Sequence, residues 1–207
     1  SGNSGTVTAQ TAGTSFVITK LSATAQFFNL VTTYSGAKTI GYSGPGGSPT
    51  YTTAVSFTCG QSTTTLTTTL TRAEATTITA SDGTTSGPAS SSLTVNPASI
   101  AKLVVTLPGE SFVPGSGNTG TPTAQTAGSS FSISSITATD LYFNTVTSYA
   151  GPKTLNYSGP GGSPTYTTAV NFTSGQSTTT LTTVLTRAGV TAITAGDGTT
   201  SGPASSN

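Results

Sequence analysis

Residues 54–71 read "AVSFTCGQSTTTLTTTLT". Val55 and Phe57 alternate with small polar residues, and Leu66, Thr68 and Leu70 repeat the pattern beyond a turn at Gly60 and Gln61. A period of two puts one set of side chains on one face of a strand. A helix is disfavoured here, because runs of Thr, Ser and Gly lose rotamer or backbone freedom in it, while Thr and Val suit a pleated surface. The stretch therefore predicts two strands, each with one buried face.

The same pattern extends in both directions. Upstream, "KTIGY" (38–42) places Ile40 and Tyr42 on one face. "SFVITKLSA" (15–23) points Phe16 and Ile18 inward, then Leu21 and Ala23, so its parity slips by one near Thr19 and Lys20. A β-bulge at that point would restore the inward set. Downstream, "TTITA" (76–80) aims Ile78 and Ala80 inward, "SDGTTSG" (81–87) supplies a hairpin turn centred on Asp82 and Gly83, and "SLTVNP" (92–97) closes the unit with Leu93 and Val95.

This plan is written twice. Residues 1–92 align without a gap to 116–207 with 67 identities in 92 positions, a repeat of 115 residues. Leu21 becomes Ile136, Phe27 becomes Tyr142 and Ile40 becomes Leu155, so apolar character is kept where a core is expected. About seven short alternating strands per copy, separated by turn signals, describe a two-sheet sandwich of about 100 residues. The sole cysteine and the absence of Trp remove the usual disulfide-and-Trp pin, leaving Phe, Tyr, Leu and Ile to fill the core.

The succession "TAGTSF" (11–16), "NLVTTYSGAKTIGYSGP" (29–45), "SFTCGQSTTTLTTTLTRAEATTITASDG" (56–83) and "SLTVNPASIAKLVV" (92–105) resembles the tandem bacterial immunoglobulin-like repeats of large extracellular surface proteins and adhesins. The resemblance covers essentially the whole chain and implies an all-β fold of two tandem immunoglobulin-like β-sandwich domains, residues 1–97 and 98–207. It further implies a structural repeat of an extracellular filament, stalk or surface adhesin, with copies of itself or neighbouring repeats as partners. Many adhesin repeats stiffen their joints with calcium held by Asp clusters. Five acidic residues in the whole chain depart from that pattern.

Composition narrows the function classes. Six Lys and Arg against five Asp and Glu give a net charge of +1, too little for the basic stripe that a nucleic-acid binder needs. The absence of His removes the base of a Ser-His-Asp or Cys-His site, and the acidic residues are scattered singly. Metal sites built on His and Cys fail likewise, so no catalytic residue, cofactor or metal is expected. No run approaches the roughly 18 apolar residues of a spanning helix, so no membrane insertion is expected. Abundant Ser, Thr and Gly with few charges points to a secreted, cell-surface protein, and the chain lacks an initiating Met and a signal-like run, as a mature or excerpted piece would. A carbohydrate- or surface-binding adhesive module, with glycans as partners, and a phage or virion decoration domain are the competing readings.

Several residues are candidate sites. Asn156 and Asn171 begin N-x-Ser/Thr sequons absent from the first copy, and period two aims both outward as glycosylation acceptors. Cys59, replaced by Ser174 in the second copy, is a candidate for an intermolecular disulfide. Lys38 and Lys153 are either solvated edge charges or partners in a side-chain crosslink. "YSGPGGSPTYTTAV" occurs unchanged at 42–55 and 157–170, and lacks the Lys-Ser/Thr and following helix of a phosphate cradle. It predicts an inter-strand turn, and its glycines and prolines, Gly44, Pro45, Gly46, Gly47, Gly159, Pro160, Gly161 and Gly162, form a candidate assembly loop.

Residues 93–115 occur once. "AKLVVTL" (101–107) predicts a leading strand for the second copy that the first lacks, and the closing strand "LTV" of the first copy is missing from the second. Edges left open in this way are templates for another strand, as in an excerpt of a longer array or a subunit completed by its neighbours.

Overall fold

The computed structural model describes residues 3–206 and contains only strands, turns and irregular segments among them. Two compact units, Ser1–Asn96 and Pro97–Asn207, divide the chain at Pro97, where a missing N–H ends the preceding strand.

The first unit runs β1 (Gln10–Thr11), β2 (Ser15–Ile18), β3 (Gly36–Thr39), β4 (Gly41–Ser43), β5 (Thr50–Tyr51), β6 (Ala54–Thr58), β7 (Gln61–Ser62), β8 (Leu66–Thr69), β9 (Ala75–Thr76), β10 (Thr79–Ser81) and β11 (Leu93–Asn96). Its sheets have the orders β2-β8-β5, β3-β6-β7, β10-β4 and β1-β11-β9, the β1–β11 pair being parallel. Val55 and Phe57 on β6 and Leu66 and Thr68 on β8 are buried while their neighbours face outward, as period two requires. Cys59 and Gly60 join β6 to β7 with φ of 48° and 79°, the two positive values of a tight two-residue hairpin.

The second unit runs β12 (Lys102–Thr106), β13 (Glu110–Val113), β14 (Gly117–Gly120), β15 (Ser130–Ile133), β16 (Ser135–Thr139), β17 (Gly151–Thr154), β18 (Asn156–Ser158), β19 (Thr165–Tyr166), β20 (Ala169–Thr173), β21 (Gln176–Ser177), β22 (Leu181–Val184) and β23 (Thr194–Gly196). A five-stranded sheet, β12-β16-β21-β20-β17, and a three-stranded sheet, β15-β22-β19, enclose the core in a β-sandwich, with β18-β23 and the β13-β14 hairpin as smaller pairs. Leu103, Val105, Ile136, Ala138, Val170 and Phe172 enter that core from the larger sheet, and Ile133 and Leu181 from the smaller.

The parity slip in "SFVITKLSA" has a different origin from the β-bulge expected at Thr19 and Lys20. In the second copy the chain leaves β15, paired with β22, and after Ser134 becomes β16, paired with β12 and β21. The odd residue turns the strand from one sheet into another. In the first copy β2 pairs with β8, and the chain then touches the other sheet through the single bridge Ser22 to Gln61. A second crossing occurs at Ile40 and at Leu155, each buried between strands of separate sheets. The turn is centred one residue later than Asp82 and Gly83: Asp82 N donates to Thr85 O at 3.2 Å, so Gly83 and Thr84 are its central pair, inside the bridged pair Ser81 and Ser86.

Candidate assembly surfaces

One polar pin recurs in each unit. The Tyr34 hydroxyl donates a 2.7 Å hydrogen bond to Asp82 Oδ2, and the Tyr149 hydroxyl does the same to Asp197 Oδ2 at 2.7 Å. Each phenol ring meets a core Phe edge-on, Tyr34 with Phe57 at 5.0 Å and Tyr149 with Phe172 at 4.9 Å. Asp82 Oδ1 also accepts from the Thr84 and Thr85 amides and the Thr84 hydroxyl, so a turn former is wired to the core. Burial, then the Asp82 bond, pushes the Tyr34 hydroxyl up to about 12. The bond from Tyr34, followed by those from Thr85 and Thr84, holds the Asp82 carboxyl well below its ordinary range. Burial pushes the Asp197 carboxyl up, but the bonds from Tyr149, Thr200 and Thr199 together outweigh it and leave that group low as well. Lys38 and Lys153 lie with Nζ 4.9 and 4.7 Å from the Tyr34 and Tyr149 ring centroids.

The duplicated loop packs inward on its own unit. Gly44 and Gly159 have φ of 117° and 115°, and a Cβ on either would collide with a backbone carbonyl, that of Thr77 or Ala192. Gly46 N donates to Glu74 Oε1 at 2.6 Å, and a Cβ there would lie 2.9 Å from Arg72 Cδ. A Cβ on Gly161 would similarly meet Arg187. Gly47 and Gly162 have φ of 75° and 87° and sit against Thr71 and Thr186, whose hydroxyls accept from Ser48 N and Ser163 N. Pro45 and Pro160 are half-buried. These close approaches give the loop's identity in both copies an internal cause. The adjoining Tyr42 and Tyr51 rings, and Tyr157 and Tyr166, stack at 4.4 Å and 10°.

The remaining candidates stand apart from one another. Cys59 is exposed at the β6–β7 turn. Asn156 on β18 and Asn171 on β20 are both exposed, as the alternation requires of a glycan acceptor. Among the described residues no three His, Cys, Asp or Glu side chains cluster as metal ligands, and no helix is long and apolar enough to cross a membrane.

A surface the sequence did not mark residue by residue is the edge at residues 20–24. Their counterparts form β16, covered by β12 over five residue pairs from Lys102–Thr139 to Thr106–Ser135. Among the described residues, 20–24 join no ladder: they make the isolated bridges of Ser22 and Thr24, and Ala23 N donates to Gly60 O at 2.7 Å. Ile136 and Ala138 are fully buried, whereas Leu21 and Ala23 are half-exposed. Lys102 Nζ lies 3.6 Å from the Phe143 ring centroid and donates to Leu141 O at 2.7 Å. The matching Phe28 is 47% exposed and Phe27 77% exposed. The once-only segment 93–115 holds β12, the strand that covers β16, and nothing in the sequence of residues 20–24 marks the difference in burial between the two copies.

No family model matches this chain, and no curated protein does. Solved structures similar to it include S-layer protein SbsC domains 4 and 5, at 15% identity and TM-score 0.30 over 67% of each chain. S-layer protein SbsC domains 5–6 match at 12% identity and TM-score 0.30, covering 98% of this chain and 94% of that one. Domains 4–9 of the same protein match at 14% identity and TM-score 0.28, covering 97% of this chain and 29% of theirs.

Proposed function

We propose that this chain is a pair of tandem immunoglobulin-like modules serving as a structural repeat in an extracellular stalk, filament or surface layer, partnered by further copies or neighbouring repeats. The observation that carries the proposal is the repetition of one internal wiring in two modules: the Tyr–Asp pin, the stacked Tyr pair and the inward-packed glycine loop occur at equivalent places in both. Residues kept for a ligand would converge on a cleft, whereas these converge on each module's own turns and core. Such duplication multiplies length and surface. A nearly uncharged exterior favours close packing of copies, because little charge must be desolvated or screened. Electron microscopy of the purified protein at rising concentration tests this. Regular fibres or sheets are the expected result, and dispersed monomers that bind a glycan array would replace the structural reading with the adhesive one.

A further inference from the structure

We propose that the second unit carries a carboxylate-binding site built from the Gly161 amide and the Arg187 guanidinium, and that its ligand is an organic acid or the acid group of a sugar. The site is separate from the structural role proposed above.

The occupied form of this site is visible in the first unit, where the chain supplies its own carboxylate. Glu74 Oε1 accepts from Gly46 N at 2.6 Å, and Glu74 Oε2 lies 3.5 Å from Arg72 Nε. One carboxylate thus bridges a loop amide and a guanidinium. The loop sequence is identical in the second unit, and Arg187 stands where Arg72 does. A Cβ on Gly161 would lie 3.2 Å from Arg187 Nη1, the same distance that separates one on Gly46 from Arg72 Nη1. The guanidinium therefore holds the same place over the loop in both units. The acid does not recur, because Glu74 is replaced by Gly189. Among the described residues Gly161 N and Arg187 have no hydrogen-bonding or ionic partner, and Gly161 is exposed where Gly46 is half-buried.

No carboxylate among the described residues is free to fill the gap. Asp82 and Asp197 are held by their Tyr and Thr donors. Asp140 is fully buried and accepts from the Ala98, Tyr142 and Asn144 amides, and Glu110 is buried with Oε2 on Leu107 N. Glu74 is committed to Gly46. The missing acid is therefore foreign to these two modules. One cation and one amide match the single charge and two oxygens of a carboxylate, as Glu74 shows, whereas a neutral ligand would leave the cation unanswered. Strand pairing beside the loop does not close the site. In the first unit β11 pairs with β9, yet the Arg72 and Glu74 side chains stay 43% and 27% exposed.

The experiment titrates the isotope-labelled full chain with sodium acetate and follows backbone amide and arginine Nε–H resonances. The site is exposed, so affinity should be weak, with Kd on the order of millimolar. The Gly161 and Arg187 signals should shift to saturation, while that of Gly46, already occupied, stays in place. Arg187 is exposed, so Arg187→Gln should keep the fold and remove the saturable shift. Glu74→Gly, which copies the second unit, should open the first site and make Gly46 respond as Gly161 does. Sodium chloride at matching ionic strength should saturate neither signal. Glucuronate, with glucose as the neutral control, separates the two sources: a stronger response than to acetate identifies an acidic sugar, and a response to acetate alone identifies a free organic acid. A Gly161 that ignores both acids, a response equalled by chloride, or one that survives Arg187→Gln overturns the proposal. A Gly46 that stays silent in Glu74→Gly does so as well.

Discussion

Tyr34 and Asp82 are joined by a 2.7 Å hydrogen bond across 48 residues of sequence, and Tyr149 and Asp197 by one of the same length. The bond ties a turn outside the sandwich to an aromatic pair inside it. Removing the hydroxyl leaves a carboxylate short of a donor and a ring in place. Tyr149→Phe, in the more fully buried copy, should cost about 1.5–3 kcal/mol, the range for a hydrogen bond to a charged group. Tyr34→Phe should cost less, since that ring is half-exposed. Urea unfolding of each variant measures both, and equal losses would contradict the ordering.

The two pins also set the pH range of stability. Asp82 and Asp197 have folded-state pKa values below the ordinary 3.8, so their stabilisation is complete above that value and is lost as pH falls beneath it. The pin tyrosines Tyr34 and Tyr149 are both raised above 10.0 by burial and then by their Asp partners, Tyr34 to about 12, and Tyr157, outside the pins, is raised to about 12 by burial and then by Tyr166. Their contribution is intact below pH 10 and disappears as pH climbs through about 12. Melting temperature should stay flat between these limits and fall outside both. Tyr34→Phe should flatten part of the alkaline limb, with tyrosinate absorbance reporting the late titration directly.

Gly44→Ala and Gly159→Ala should be among the most damaging single-methyl additions. Each combines a φ near 115° with a Cβ driven into a backbone carbonyl that cannot rotate away. The conformational part alone costs about 1–3 kcal/mol. Gly83→Ala, at a φ of 88° with nothing within 4 Å of its Cβ, carries only that conformational part. Comparing their melting temperatures separates collision from backbone strain.

Cys59→Asn should stabilise the protein slightly, by up to about 1 kcal/mol, because Asn tolerates the left-handed backbone that Cys59 occupies at φ 48°. Ser174→Asn, at the same φ in the second copy, should do likewise. The exposed Cys59 thiol should also react with maleimide in the folded protein at nearly the rate of the unfolded chain. Slow labelling would place it under cover.

Thr68 and Thr137 carry buried hydroxyls without a hydrogen-bond partner. Valine has the same shape and no polar atom to desolvate, so Thr68→Val and Thr137→Val should each raise stability by about 1 kcal/mol or more. A loss on substitution would reveal a bound water at the hydroxyl.

Period two located the strands around Val55, Phe57, Leu66, Thr68 and Leu70 because alternation with Thr and Ser is a strictly local consequence of one buried face. It does not tell a bulge from a crossing between sheets, since both shift inward parity by one residue, and residues 15–23 read as a bulge where the chain passes from one sheet to another. Strand β5 was hidden inside the glycine loop, where two residues are too few to display a period. The internal role of Gly44 was equally invisible, because its partner, the Thr77 carbonyl, is a backbone atom without a sequence signature. The exposed Asn156 and Asn171 followed from alternation alone.

The crossings at Ile40 and Leu155 make one residue answerable to two sheets. Each is buried, with a strand of one sheet ending just before it and a strand of another beginning just after it. Emptying either position therefore loosens the packing where both sheets meet, so the two layers share one fate instead of melting separately.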